Sequence, residues 1–132
     1  MRLLNPGPGE CVDRITILNL KIEAAVEKLY FQKEKDDLQE YLRTHFFNIG
    51  TKDLTQVERE SQTLQRINKK LWDAEDEVRS MPRVTDATVL RLAELCVSIA
   101  SLNDSRAEQV KKINVIFGIH SQEKLHVQSN HA

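Results

Sequence analysis

TQVERESQTLQRINKKLWDAEDEVRSM, residues Thr55–Met81, is the stretch that decides the fold. Val57, Leu64, Leu71 and Val78 recur one heptad apart, and Ile67, Ala74 and Met81 follow the last three of them by three positions. Apolar residues at this spacing form the a/d seam of helices packed in the manner of a coiled coil. Thr55-Gln-Val-Glu58 has the capping-box pattern, in which the Glu58 carboxylate reaches back to the N-cap amide. The spacing therefore predicts a helix that opens at Thr55. Its expected end is Ser80, because Pro82 disfavours helical geometry at Met81.

Working outward, the chain from Glu10 to about Phe47 contains no Gly or Pro. We read it as one long helix, closed by Gly50 as a C-terminal cap. Downstream, Thr85 or Asp86 can cap a third helix ending at Gly118, with Leu92, Leu95, Cys96, Ile99, Val110, Ile113 and Phe117 as its apolar stripe. Lys111 and Lys112 lie in its last two turns, where the helix dipole favours cations. Ile119 is expected to fold back onto Ile113 after the glycine cap. Short connections favour an antiparallel up-down-up path. The expectation is an all-α, long, three-helix antiparallel bundle packed like a coiled coil. Residues 1–9 form a Pro/Gly lead-in, 10–118 a single helical bundle domain, and 119–132 a flexible polar tail.

Composition agrees with one helical domain. The chain has 132 residues, 40% apolar and 30% charged, with four Gly and three Pro. Nineteen basic residues face twenty acidic ones, so the balance points neither to nucleic acid nor to an anionic membrane. No apolar run approaches the roughly 20 residues of a membrane span. The N-terminus has no secretory h-region, so a cytoplasmic location is expected. Cys11 and Cys96 are too few for a disulfide framework or a zinc site, and both read as small buried hydrophobes in a reducing compartment.

The start of the first helix is apolar on two sides. At 100° per residue, Ile15, Leu18, Ile22, Ala25 and Val26 share one side. Ile17, Leu20 and Ala24 share nearly the opposite side, which continues to Phe31, Leu38 and Leu42. Such a helix needs cover on both sides, and a bare second stripe would leave an apolar patch that soluble monomers rarely show. One solution is a homodimer whose self-contact is Ile17, Leu20, Ala24 and Phe31. The other is that the second and third helices flank the first.

Two polar residues break the seams. Arg106 lies one heptad from both Ile99 and Ile113, and Glu60 takes a d position. A hairpin pivoting near Arg83 sets Glu60 level with Arg106, which predicts a buried pair. It is read either as an ion pair that fixes helix register or as part of an anion pocket. A second group surrounds Trp72: Asn68, Trp72, Glu75 and Arg79 share one stripe beside the seam. Folding the first helix alongside brings this stripe near Asn19, Lys21 and Glu23. Trp beside Glu and Arg suits an interface anchor or a ligand wall; it also suits a Trp that merely widens the core.

Catalytic patterns are sparse. Asp73, Glu75, Asp76 and Glu77 fan around a helix instead of converging on a metal, and the Glu-x-x-His pairs of a bundle di-metal site are missing. There is no Ser/His/Asp set, Gly-rich phosphate loop or HExxH motif. Lys69-Lys70 and Lys111-Lys112 are too few for a nucleic-acid stripe. No metal or cofactor is expected.

Three segments carry a family resemblance. They are Gly9-Glu10-Cys11-Val12-Asp13-Arg14-Ile15-Thr16-Ile17-Leu18 with Lys21, Leu71-Trp72-Asp73-Ala74-Glu75-Asp76-Glu77-Val78-Arg79, and Asn103-Asp104-Ser105-Arg106-Ala107 with Lys111, Ile113 and Asn114. Together they resemble a family of small bacterial helical proteins catalogued as a domain of unknown function. The resemblance implies a context near surface-polysaccharide genes and glycosyltransferases, and it implies no particular activity. The chain departs from the family pattern at Ser105, where a second basic residue often stands, and in the tail Leu125-His126-Val127-Gln128.

Two enzyme families share fragments. Val12-Asp13-Arg14-Ile15-Thr16 is similar to a segment of helical chorismate mutases, yet Glu23 and the Pro/Gly lead-in stand where those enzymes need arginines. Asp73-x-x-Asp76 is a partial echo of all-α nucleotide pyrophosphohydrolases, and Glu94-x-x-Val97 breaks the second half of that pattern. The expected function is a non-enzymatic interaction or assembly protein, a homodimer with room for a protein partner, linked to surface-polysaccharide synthesis. Its expected functional surface is Asp13, Arg14, Lys21, Trp72, Glu75 and Arg79. The alternative is a small-anion-binding or enzymatic bundle that uses Arg106, Arg79 and Lys21.

Overall fold

A computed structural model of the chain describes residues 6–46, 49–81 and 85–119. Among these the protein forms four helices and no strand: α1 (Pro8–Ala24), α2 (Leu29–Phe46), α3 (Thr51–Ser80) and α4 (Val89–Ile116). The all-helical class expected from the heptads is present. The count of three is corrected to four, because the long first helix is broken at Ala25, whose backbone is extended with ψ 149°. No Gly or Pro marks that corner.

The cause of the break is tertiary. An unbroken helix would carry residues 29–46 away from α1 and leave one of its apolar sides bare. Folding back sets α2 antiparallel on α1, where Glu34 pairs with Arg14 and the Tyr41 hydroxyl donates to the Pro6 carbonyl at 3.2 Å. Burial of apolar surface outweighs the intrinsic preference of Ala25–Lys28 for helix, which is worth less than about 1 kcal/mol per residue. Val26 is left at the corner, 97% exposed.

α1 becomes the central element. It contacts α2, α3 and α4, and α3 also packs on α4. Cys11, Val12, Leu42, Leu64 and Ile113 form the core cluster, drawn from all four helices. Both apolar sides of α1 are thereby served within one chain. Leu18 from the first side is fully buried and Leu20 from the second is 6% exposed, while Ile17 and Phe31 are half-buried and Ala24 is exposed.

The helix ends refine several expectations. α1 opens with Pro8 at N1, a position where the missing N–H is harmless, so the last two lead-in residues belong to the helix. α3 starts at Thr51 with Gly50 as its N-cap, one turn ahead of the capping-box position. It ends at Ser80, with Met81 extended as the residue before a proline should be. Thr85 and Thr88 form a turn in which the Thr85 amide donates to Thr88 Oγ1 at 2.8 Å, and Thr88 rather than Thr85 or Asp86 caps α4. At the far end Gly118 takes φ +78°, and the Ile119 amide donates to the Asn114 carbonyl at 2.9 Å, as in a glycine-terminated helix. The expectation of a tail falls mostly on residues 120–132, outside those described. No described helix is long and apolar enough to cross a membrane.

Cys96 is a further correction. Cys11 is buried, but Cys96 is exposed. Leu95 and Ile99 turn toward the core, and the next position round the helix faces out. Apolar neighbours in sequence are not apolar neighbours in space when both sides of a helix are apolar.

Candidate functional site

The side chains with most chemical potential meet where α1 crosses α3 and α4. Asp13 lies on the inner side of α1, and its Oδ1 accepts from Arg106 Nε at 2.9 Å and from Asn68 Nδ2 at 2.9 Å. Its Oδ2 accepts from the Arg106 guanidinium at 2.6 Å. This is a fork-on-carboxylate pair, the strongest geometry available to an Arg. Asn68 Nδ2 also donates to Thr16 Oγ1 at 2.7 Å, and Thr16 Oγ1 donates to the Asp13 carbonyl at 2.7 Å. Gln65 extends the network by donating to the Thr16 carbonyl at 3.1 Å and accepting from Asn19 at 3.0 Å.

The electrostatics follow the contacts. The hydrogen bonds to Asp13 raise the Arg106 pKa against burial, which lowers it, and the charges of Asp13 and Glu75 add to the rise. Arg106 is therefore a permanent cation neutralised by a carboxylate of its own chain. Among the described residues no buried side-chain nitrogen or oxygen lacks a hydrogen-bond partner.

The expected Glu60–Arg106 pair is not formed. Glu60 Oε2 instead accepts from Gln109 Nε2 at 2.7 Å, and Gln109 also donates to the Glu60 carbonyl at 3.0 Å. The α3–α4 register differs from the expected one, so Glu60 lies level with Gln109, nearly one turn further along α4. Both residues have polar partners, but different ones: Glu60 has Gln109, and Arg106 has Asp13. Arg106 finds its carboxylate on α1, a partner that pairing α3 with α4 alone had no means of supplying.

The six residues expected to share one surface are distributed over three places. Asp13 serves the inner network. Arg14 points the other way and forks onto Glu34 of α2 at 2.8 and 3.1 Å. That hydrogen bond raises the Arg14 pKa and lowers the Glu34 pKa. Lys21 Nζ sits 5.4 Å from the centre of the Phe31 ring, a cation–π contact that also tacks α2 to α1. Trp72 is half-buried on α3, with Glu75 and Arg79 exposed beyond it. The Glu75 charge acts on Arg106, and the Asp13 charge also acts on Arg14.

A second clamp was not foreseen as such. Asn114 Oδ1 accepts the Gly9 amide at 2.7 Å, while its Nδ2 donates to both Glu10 carboxylate oxygens at 2.8 and 3.1 Å. Thus Glu10–Asn114 and Asp13–Arg106 lie about one helical turn apart on α1 and about two turns apart on α4. Both pairs join the first and last of the three segments that carry the family resemblance. The only signal in the sequence was that these polar residues sit among apolar ones.

A cleft of about 520 Å³ lies between α2 and α3 with α1 as its floor, and it shares Thr16, Asn19 and Gln65 with this network. Ile15, Leu42 and Val57 make it apolar, and Asn19, Gln62 and Gln65 supply amides. Its charged members are Arg43, which is ion-paired with Glu40, and Glu58. Its hydroxyls are engaged by backbone, Ser61 donating to the Val57 carbonyl and Thr16 to the Asp13 carbonyl. Among the described residues no three His, Cys, Asp or Glu side chains are placed to hold a metal ion. Comparison with protein-family models, curated proteins and solved structures finds no match.

Proposed function

We propose that this protein is a non-enzymatic helical interaction and assembly module that acts as a homodimer in the bacterial cytoplasm. The resemblance noted above suggests surface-polysaccharide synthesis as the process it serves. One observation carries the proposal: the Arg106 guanidinium, the seam residue best suited to hold an anionic ligand, is already engaged by Asp13 through two hydrogen bonds. A binding site for a small anion keeps cations free in a wet cavity, whereas a scaffold satisfies them internally. The cleft between α2 and α3 favours a second reading, a small-ligand-binding bundle.

A thermal-shift panel of nucleotide sugars, inorganic phosphates and dicarboxylates separates the two. A compound that binds the native state raises the melting temperature by mass action. The assembly reading expects no shift from any member. A saturable rise with one anion, lost in Arg43→Ala, would overturn it in favour of ligand binding at the cleft.

A further inference from the structure

α4 carries two heptad seams. Leu92, Leu95, Ile99, Leu102, Arg106 and Gln109 form the inner one, buried or half-buried, with Arg106 bonded to α1 and Gln109 to α3. Leu90, Ala93, Val97 and Ala100 repeat the same three-and-four spacing two positions earlier, on the outer side. All four are exposed, Leu90 by 74% and Val97 by 72%. No charged residue occurs between Glu94 and Asp104, in a chain where 30% of residues are charged. An uncharged outer seam on a helix whose inner seam is already filled is built to be covered.

We infer that it is covered by the same seam of a second copy, in an antiparallel two-fold contact centred at the level of residue 95. In an antiparallel coiled coil the a positions of one helix face the d positions of the other. Leu90 then meets Ala100 of the second copy, and Val97 meets its Ala93. Every layer joins one large and one small side chain, so the four positions are their own complement and pack without voids. A parallel pairing would set Leu on Leu and Ala on Ala, leaving gaps. Self-complementarity of this kind is what an isologous dimer requires, and it distinguishes a second copy from an unrelated helix. The same geometry brings the exposed Cys96 of each copy beside the axis. This inference rests on the assembly reading and names its contact.

Sedimentation across a concentration series tests it, alongside oxidative cross-linking at Cys96. The wild type is expected to dimerise and to form a Cys96–Cys96 disulfide. Val97→Glu, at an exposed site, is expected to keep its helical content but to sediment as a monomer and fail to cross-link. Ala93→Val and Val97→Ala should each weaken the dimer roughly tenfold, a difference of 1.4 kcal/mol. Combining them swaps large for small in both layers and should restore it. A wild type that stays monomeric at millimolar concentration overturns the self-assembly reading as well as the seam. A dimer that survives Val97→Glu overturns the seam and leaves assembly through another surface standing.

Discussion

Asp13 is the residue on which most of the interior polar structure converges. It accepts three hydrogen bonds from Arg106 and Asn68, and its side chain is 16% exposed. Asp13→Ala leaves the Arg106 guanidinium without its two acceptor oxygens in a half-buried setting, while Asn68 keeps the Thr16 hydroxyl. Loss of a buried pair partner costs several kcal/mol, and a third of the Arg106 side chain is open to water, so we expect about 2 kcal/mol. Urea denaturation measures it; a loss below the error of the fit would show that the network is ornamental. Glu34 gives a pH dependence of defined sign. Its pKa is depressed by the Arg14 hydrogen bond, so the pair contributes fully above the ordinary carboxylate value of 4.5 and is lost as pH falls through the lower folded value. Glu34→Gln should therefore flatten the acid limb of the stability curve and leave its shape above pH 6 unchanged. Cys11 and Cys96 should differ in reactivity. Burial pushes the Cys11 thiol up to about 12, and Cys96 is exposed. Iodoacetamide near pH 8 should label Cys96 alone until the protein unfolds, which mass spectrometry of the native and denatured protein would reveal.

At the scale of elements, α1 approaches α4 closely at Gly9. A Cβ on Gly9 would stand 2.4 Å from the Val110 carbonyl oxygen and 3.0 Å from its side chain. Backbone cannot yield there as a flexible side-chain tip would. Gly9→Ala should push the helices apart, strain the Gly9–Asn114 bond, and cost about 1–3 kcal/mol in chemical denaturation. Gly50→Ala meets nothing within 4 Å and serves as the control. Which helices form was legible from Val57, Leu64, Leu71 and Val78 and from the helix stops at Pro82 and Gly118. The corner at Ala25 was not, because Ala-Ala-Val-Glu-Lys contains no local breaker and the bend is chosen by what α2 buries. The same limit governs the site. Arg106 stood out because it interrupts a seam, whereas its carboxylate, Asp13, lies 93 positions away and becomes visible only when α1 is placed. Pairing it with Glu60 followed from a hairpin register that was nearly one turn off, and a heptad repeat tolerates that error in its apolar layers while changing every polar partner.

The whole molecule depends on α1, since α2 reaches the rest of the bundle chiefly through it. Leu18 is fully buried there. Leu18→Ala should cost about 2–5 kcal/mol. It should also raise amide exchange in α2 together with α1, in one cooperative unit. If α2 exchanged independently of that substitution, the central position of α1 would not be what holds the fold together.

The clamp between Gly9 and Asn114 spans 105 positions of chain. During synthesis at the ribosome, α1 and α2 therefore emerge long before α4, the surface that receives Glu10 and Asp13. The nascent α1–α2 hairpin must wait with those two carboxylates hydrated and its inner apolar side open. Closure of so long a loop comes late and is slow relative to local helix formation. A chaperone that shields apolar segments on a growing polypeptide has its natural opportunity in that interval.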